Sequence, residues 1–303
     1  MIYSPSQTKV YLECPTKRLL SQEGWSSRVV GLRDWIAWIG QGVHAGLACL
    51  KNPQATQVSA EAVLEKGLSE FQGHLTHAVQ SGRIVPPTLY PGEAKANIER
   101  CLEYAIKQDV LPAGLVVERV EQGLGEYNCI LDVVGKKNGI PYFVDYKVKN
   151  KCKLDYLDQE LEKYRYDWKE ARHYPWALSE VCGQRVEEYT VVIFVLGPQF
   201  RVVQRTYQVN WKVVERWAQG CMGPKLTGEL DGLWDTMTYE EPWQSNACMG
   251  GQWPCEYLDA CWTYDLDREK MKTGGLIQVQ RIDKQIVAGS QQIEQGGATN
   301  GKG

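Results

Sequence analysis

The chain has 303 residues, 43% of them hydrophobic and 23% charged, with a formal net charge of −3. That length buries a substantial core and accommodates one large domain or two ordinary ones. It contains no apolar run long enough to span a bilayer, and its acidic balance means that a nucleic-acid partner would need a local basic track.

The opening segment MIYSPSQTKVYLECP has no basic stretch leading into an apolar one, so no secretory signal is expected and the expected location is the cytoplasm. Ser4-Pro5-Ser6-Gln7 reads as a helix start, with Ser4 as N-cap and Gln7 closing a capping box, and the helix ends near Glu13 ahead of Pro15. A second helix is predicted over Asp34–Leu50, where Ile36, Ile39, Val43, Leu47 and Leu50 recur at helical spacing. Further helices are predicted over Ser59–Gln80 and Pro91–Asp109.

Character changes at Leu115. Leu115–Glu121, Tyr127–Val134, Ile140–Val148, Tyr189–Leu196 and Phe200–Val209 are rich in Val, Ile, Tyr and Phe and read as strands. A long polar helix is predicted over Asp158–Val181, bent near Pro175. Asn210 caps a closing helix over Trp211–Ala218. The expected fold class is α/β, a central mixed sheet of about five strands flanked by helices. The expected organisation is a helical region at 1–110, a core at 111–220, a cysteine-bearing segment at 221–265, and a Gly/Gln-rich tail at 266–303 that is expected to be mobile.

The most informative local signal is Asn138-Gly139, the residue pair best suited to a two-residue hairpin turn because both tolerate positive φ. With these as the loop, Lys137 opposes Ile140, and continuing the register brings Asp132 across from Asp145. Lys147, two residues on, shares a face with Asp145. Opposed carboxylates among apolar neighbours repel, so one should titrate above its usual range. A divalent cation reverses that interaction, and carboxylate oxygens suit Mg²⁺ or Mn²⁺. A lysine beside such an ion can orient an attacking water and neutralise charge developing on phosphorus. Lys147, Lys149, Lys151 and Lys153 alternate and would line one side of an extended strand, giving the required basic track.

Ten cysteines need an account. Cys49, Cys101, Cys129 and Cys182 lie in apolar or periodic stretches and read as small buried hydrophobes, while Cys152 and Cys221 are uninformative. Cys248, Cys255 and Cys261 cluster near the C-terminus, and Cys14 supplies a fourth thiolate. In a cytoplasmic chain such a set suggests metal rather than disulfides, with zinc and an iron–sulfur cluster both open on spacing alone.

The run Cys129-Ile-Leu-Asp132, followed by Asp145-Tyr146-Lys147, resembles the core of the PD-(D/E)xK nucleases. It is closest in kind to their RecB-like branch, which includes helicase-associated nucleases, CRISPR-associated spacer-trimming nucleases and phage recombination exonucleases. Gly40-Gln-Gly-Val-His44 resembles that family's helical G-x-x-x-H element, and the likeness spans roughly residues 3–262.

The resemblance implies a restriction-endonuclease-like core. His44, Asp132, Asp145 and the Tyr146 carbonyl would be metal ligands, Lys147 the catalytic lysine, and Glu118 a less regular acidic position. It also implies that Cys14, Cys248, Cys255 and Cys261 hold a [4Fe–4S] cluster clasping the two ends. The tight C-x2-C pair of the family is missing, which keeps zinc open. Cys129 stands where the family has Gly, and Glu170 where its Q-x-x-x-Y has Gln, with Tyr174 as the tyrosine that would meet DNA. The expected activity is phosphodiester hydrolysis from an end of DNA, in recombination, repair or processing. The expected partners are DNA with a free end or single-stranded region and a recombination or helicase protein, with a phage-encoded origin acting in host cytoplasm among the implied settings. Against this stand a non-catalytic DNA-binding or assembly subunit and, less well supported, a redox protein.

Overall fold

A computed structural model describes residues 20, 23–55, 57–150, 154–167, 169–221, 268–274 and 276–279. The helix expected from Ser4, together with Cys14, Lys151, Cys152, Lys153, Cys248, Cys255 and Cys261, lies outside the described residues.

Three helices precede the main sheet. α1 (Leu32–Leu50) buries Ile39, Val43 and Leu47, the predicted stripe, with Trp35 and Trp38 beside it. It begins where the Gly31 N–H donates to Asp34 Oδ2 at 3.3 Å. α2 (Ala60–Gln80) is capped by Ser59, whose hydroxyl accepts from the Ala62 N–H. α3 (Pro91–Lys107) starts on Pro91, whose missing N–H costs nothing at a helix start. α1 and α2 approach through glycines: a Cβ on Gly42 would lie 2.8 Å from the Gly67 carbonyl oxygen, and one on Gly67 2.9 Å from that of Gly42. This close crossing fixes the depth at which α1 sits.

The sheet runs β2 (Leu115–Leu124), β3 (Cys129–Lys137), β4 (Ile140–Asn150), β5 (Glu188–Leu196) and β6 (Arg201–Gln208), in that spatial order. Neighbours are antiparallel except β4 and β5, which are parallel, so the sheet is mixed as expected. Helices flank both faces. Val133, Tyr142, Val144, Tyr146, Val192 and Phe194 pack under α1–α3. Phe143, Tyr189, Val191 and Ile193 pack under α4 (Leu154–Lys163) and α5 (Tyr174–Cys182). α6 (Trp211–Cys221) follows β6, with the Val213 N–H donating to Asn210 Oδ1 at 3.4 Å.

Three expectations are corrected. The predicted helix over Asp158–Val181 is interrupted at Tyr164–Asp167 rather than bent at Pro175, and resumes as a π-helical segment, Lys169–His173. Pro175 falls in the first turn of α5, where a proline starts a helix rather than breaking one. The tail expected from residue 266 contains α7 (Arg268–Thr273), with Met271 buried, and β7 (Leu276–Gln278). β7 pairs antiparallel with β1 (Trp25–Ser27), a two-stranded ribbon that joins distant parts of the chain. Cys101 and Cys129 are buried, with thiols pushed up to about 12 by burial, but Cys182 at the end of α5 is exposed. Among the described residues no helix is long and apolar enough to cross a membrane.

Candidate metal and carboxylate–lysine centre

The β3–β4 hairpin forms in the expected register: Lys137 pairs with Ile140, and the ladder continues to Val133 opposite Val144. Asn138 and Gly139 take φ of 55° and 79°, the positive values the turn demands. Beyond Val133 the strand departs from simple alternation. Leu131 and Val134 both enter the core under α5, whereas Val133 enters the core under α1. Asp132 sits at that irregularity, and its Oδ2 accepts from the Tyr146 N–H across the hairpin at 2.6 Å.

Asp132 and Asp145 are both charge-coupled and unequal. His44 Nδ1, carried by α1, lies 3.3 Å from Asp132 Oδ1. Burial alone would raise the Asp132 carboxyl, but the His44 charge and hydrogen bond, helped by Lys147, hold it down to about 2. The same ion pair raises His44 against the opposing effect of its own burial. Asp145 is almost fully buried and is pushed up to about 6, first by burial and then by Asp132 and Glu170, against the pull of Lys147. The predicted repulsion therefore falls on Asp145 alone.

The Lys147 ammonium lies 2.6 Å from Asp145 Oδ2 and 2.8 Å from Glu170 Oε1. The Asp145 contact is a close charge pair outside hydrogen-bond geometry, which leaves that oxygen without a hydrogen bond. Two buried carboxylates raise Lys147 well above its ordinary range despite burial, so it is an ammonium at neutral pH. The Tyr164 ring lies beneath both Lys147 and Lys149, with centroids 5.9 and 6.0 Å from the two ammoniums.

The site thus brings together His44, Asp132, Asp145 and Lys147, and adds two residues that sequence reasoning missed. Glu121 offers a carboxylate oxygen that lies, with a His44 ring nitrogen and an Asp132 oxygen, in a group whose atoms are all within 4.8 Å of one another. The β2–β3 register explains why: Val120 opposes Val133 and Gln122 opposes Leu131, so Glu121 stands beside Asp132. Glu118 is not part of this group. It falls at the register shift between Val117 and Arg119, and its carboxylate pairs with Lys136 at 3.1 Å. Glu170, at the position where the resemblance expects a DNA-contacting glutamine, instead holds Lys147.

Other assignments shift as well. What Tyr146 is seen to lend the site is its N–H. Tyr174 is buried edge-on against Phe143, so its ring offers no surface for a base. Lys149 is half-exposed and lies 3.4 Å from Glu160.

One imidazole and two carboxylates form a donor set suited to Mn²⁺ or Mg²⁺. Two donors bound side by side on an octahedral ion at about 2.1 Å are roughly 3 Å apart, close to the 3.3 Å between His44 and Asp132. A cleft of about 460 Å³, lined by Gln41, His44, Lys66 and Glu121 among others, adjoins this corner.

No model of a known protein family matches the chain, and a search of curated proteins finds no match.

Proposed function

We propose that this chain is a metal-dependent deoxyribonuclease of the PD-(D/E)xK type, hydrolysing phosphodiester bonds from a DNA end. The observation that carries the reading is the buried Asp145–Lys147–Glu170 charge cluster packed directly against the His44–Asp132–Glu121 group. Burying two carboxylates beside a lysine costs several kcal/mol of desolvation per ion, which their mutual attraction offsets only in part, so the cluster is a poor choice for stability alone.

A bound Mg²⁺ or Mn²⁺ would supply Lewis-acid stabilisation of phosphate oxygens and a water of lowered pKa. His44, Asp132 and Glu121 would hold it, with Asp145, whose Oδ2 is engaged by Lys147, on the buried side. Lys147, fixed as an ammonium, stabilises negative charge on the phosphoryl oxygens and donates a hydrogen bond to the attacking water. Glu170 holds that ammonium in place. The Tyr146 N–H holds Asp132 Oδ2 from the neighbouring strand, which leaves Oδ1 facing His44.

The clasp is part of the same proposal. Cys14, Cys248, Cys255 and Cys261 would hold a [4Fe–4S] cluster or zinc. Support comes from β1 and β7, which bring the chain shortly after Cys14 beside the chain shortly after Cys261. The reading puts the enzyme in the cytoplasm, where thiolates stay reduced.

The test is digestion of end-labelled single- and double-stranded DNA with Mn²⁺, comparing wild type with Lys147→Arg, which keeps the charge pair but not the ammonium geometry. Cleavage lowered roughly 10²–10⁴-fold is expected. DNA bound but never cut by the wild type would favour the non-catalytic subunit.

A further inference from the structure

A second cleft, of about 1080 Å³, opens beyond the buried side of the centre. Its walls are the turn after α4, the π-helical segment, the loop after α5, the end of β6 and the first turn of α6. They present Arg165, Arg172, Arg185 and Lys212 against one acid, Glu215, which is engaged by Arg185 at 2.5 Å. Arg165 also neighbours Glu162, at 3.6 Å. In a chain of net charge −3 the lining of this cleft thus carries four cationic side chains and one carboxylate.

Aromatic groups stand between the cations. Tyr166 is 62% exposed. Trp211 is fixed by its indole N–H, which donates to the Val186 carbonyl at 2.9 Å, and the Arg185 guanidinium lies over its ring at 5.0 Å. Cations tracking a phosphate backbone, interleaved with rings on which bases stack, are what single-stranded nucleic acid requires. A paired base presents no free face to an exposed tyrosine, which favours a single strand over a duplex. The volume also exceeds the roughly 300–1,000 Å³ of pockets that enclose one small molecule.

The cleft wall and the centre are neighbours along the chain. Glu170, which holds Lys147, is followed directly by Ala171 and Arg172 on the cleft wall. Tyr164, beneath Lys147, is followed by Arg165 and Tyr166.

We propose that this basic, aromatic cleft binds a single-stranded stretch of DNA and leads it to the carboxylate–lysine centre. The inference rests on the nuclease reading for where the strand is led, and not for the binding itself.

The experiment is fluorescence anisotropy of labelled oligo-dT and of a duplex of equal length, in EDTA so that nothing is cut, across a range of salt. The variants are Arg165→Glu/Lys212→Glu and, separately, Tyr166→Ala, all at surface positions of the full chain. The double variant is expected to weaken oligo-dT binding about 10–100-fold and to flatten the log–log salt slope by about 1.4, at roughly 0.7 per phosphate contact on a single strand. Tyr166→Ala is expected to weaken it about 5–50-fold with the slope unchanged. If the double variant fails to fold, Tyr166→Ala decides alone.

Wild-type affinity and slope in the variants, or no oligo-dT binding by the wild type, would overturn the proposal. Loss of duplex binding with oligo-dT binding intact would overturn it too. Failure of this inference is distinct from failure of the nuclease reading, because cleavage that depends on Lys147 survives the first, and strand binding without cleavage by wild type marks the second.

Discussion

On the α1 side of the centre, His44 is 27% exposed and Glu121 faces solvent beside a cleft. On the α5 side, Asp145 and Glu170 are sealed, and Lys147 is their shared counter-ion. The open half can exchange a ligand with solvent, whereas the sealed half can only keep its internal charges balanced. One carboxylate from the same hairpin serves each half, and the environment alone separates them: Asp132 is held down to about 2 and Asp145 is pushed up to about 6. Identical side chains have acquired different work.

The contrast breaks most severely at Lys147. Lys147→Ala strands two buried acids and should cost about 3–5 kcal/mol in urea melts, where loss of an exposed lysine costs under 1 kcal/mol. A variant as stable as wild type would show that the sealed half is not sealed in solution.

His173 sharpens the picture of that half. It is fully buried, its Nε2–H donates to the Tyr127 carbonyl at 2.9 Å, and the Trp176 and Trp217 rings flank it. Burial lowers its pKa to about 4 from 6.5. Between those values the unfolded chain binds a proton that the folded chain refuses, so this contribution is whole above pH 6.5 and falls as pH drops to about 4. The loss is on the order of 3 kcal/mol. Subtracting the pH profile of His173→Phe from that of wild type should reveal this slope, and a flat difference would mean that the imidazole is solvated.

The open half is tested by linkage. Mn²⁺ at one hundred times its dissociation constant should stabilise wild type by about 2.7 kcal/mol. His44→Ala and Glu121→Gln should each lose most of that gain, and Glu118→Gln none of it. An equal shift in Glu121→Gln would return the acidic role to another residue.

The smallest effect separates the two aspartates. In EDTA at pH 7, Asp132→Asn should be less stable than wild type by about 2 kcal/mol, because an ion pair with His44 is lost. Asp145→Asn should be at least as stable as wild type, because a buried charge is removed. The reverse ranking would mean that the hairpin presents the two carboxylates the other way round.

What could be read in advance followed the reach of local rules. Asn138-Gly139 fixes a two-residue turn, and counting outward from it gives the β3–β4 register without further knowledge. β2 and β3 meet instead through the short 3₁₀ turn Gly125–Tyr127, which no residue pair announces, so the count that sets Glu121 beside Asp132 had no starting point in the sequence. Glu121 itself adopts φ of 47°, which its residue type does not announce. Glu170 was visible only as a departure from a motif, and its partner emerges once the π-helical turn carries it over Lys147. Tyr174 was set against DNA only by the resemblance to a motif, and Phe143 on the sheet packs against it in the core. β7 is three residues in a glycine-rich stretch, too short to carry a period.

The pairing of Trp25 with Gln278 joins positions about 250 residues apart. Loop-closure entropy grows only logarithmically with such a span, so the ribbon is cheap to hold once both strands exist. Its cost is one of timing. During synthesis, at about 5–20 residues per second, Trp25 waits at least ten seconds for its partner, with its neighbours already folding around it. Among the described elements the ribbon is therefore the last that translation can complete. A polypeptide released before residue 276 would leave the pairing edge of β1 open, a row of backbone groups ready to pair with another chain.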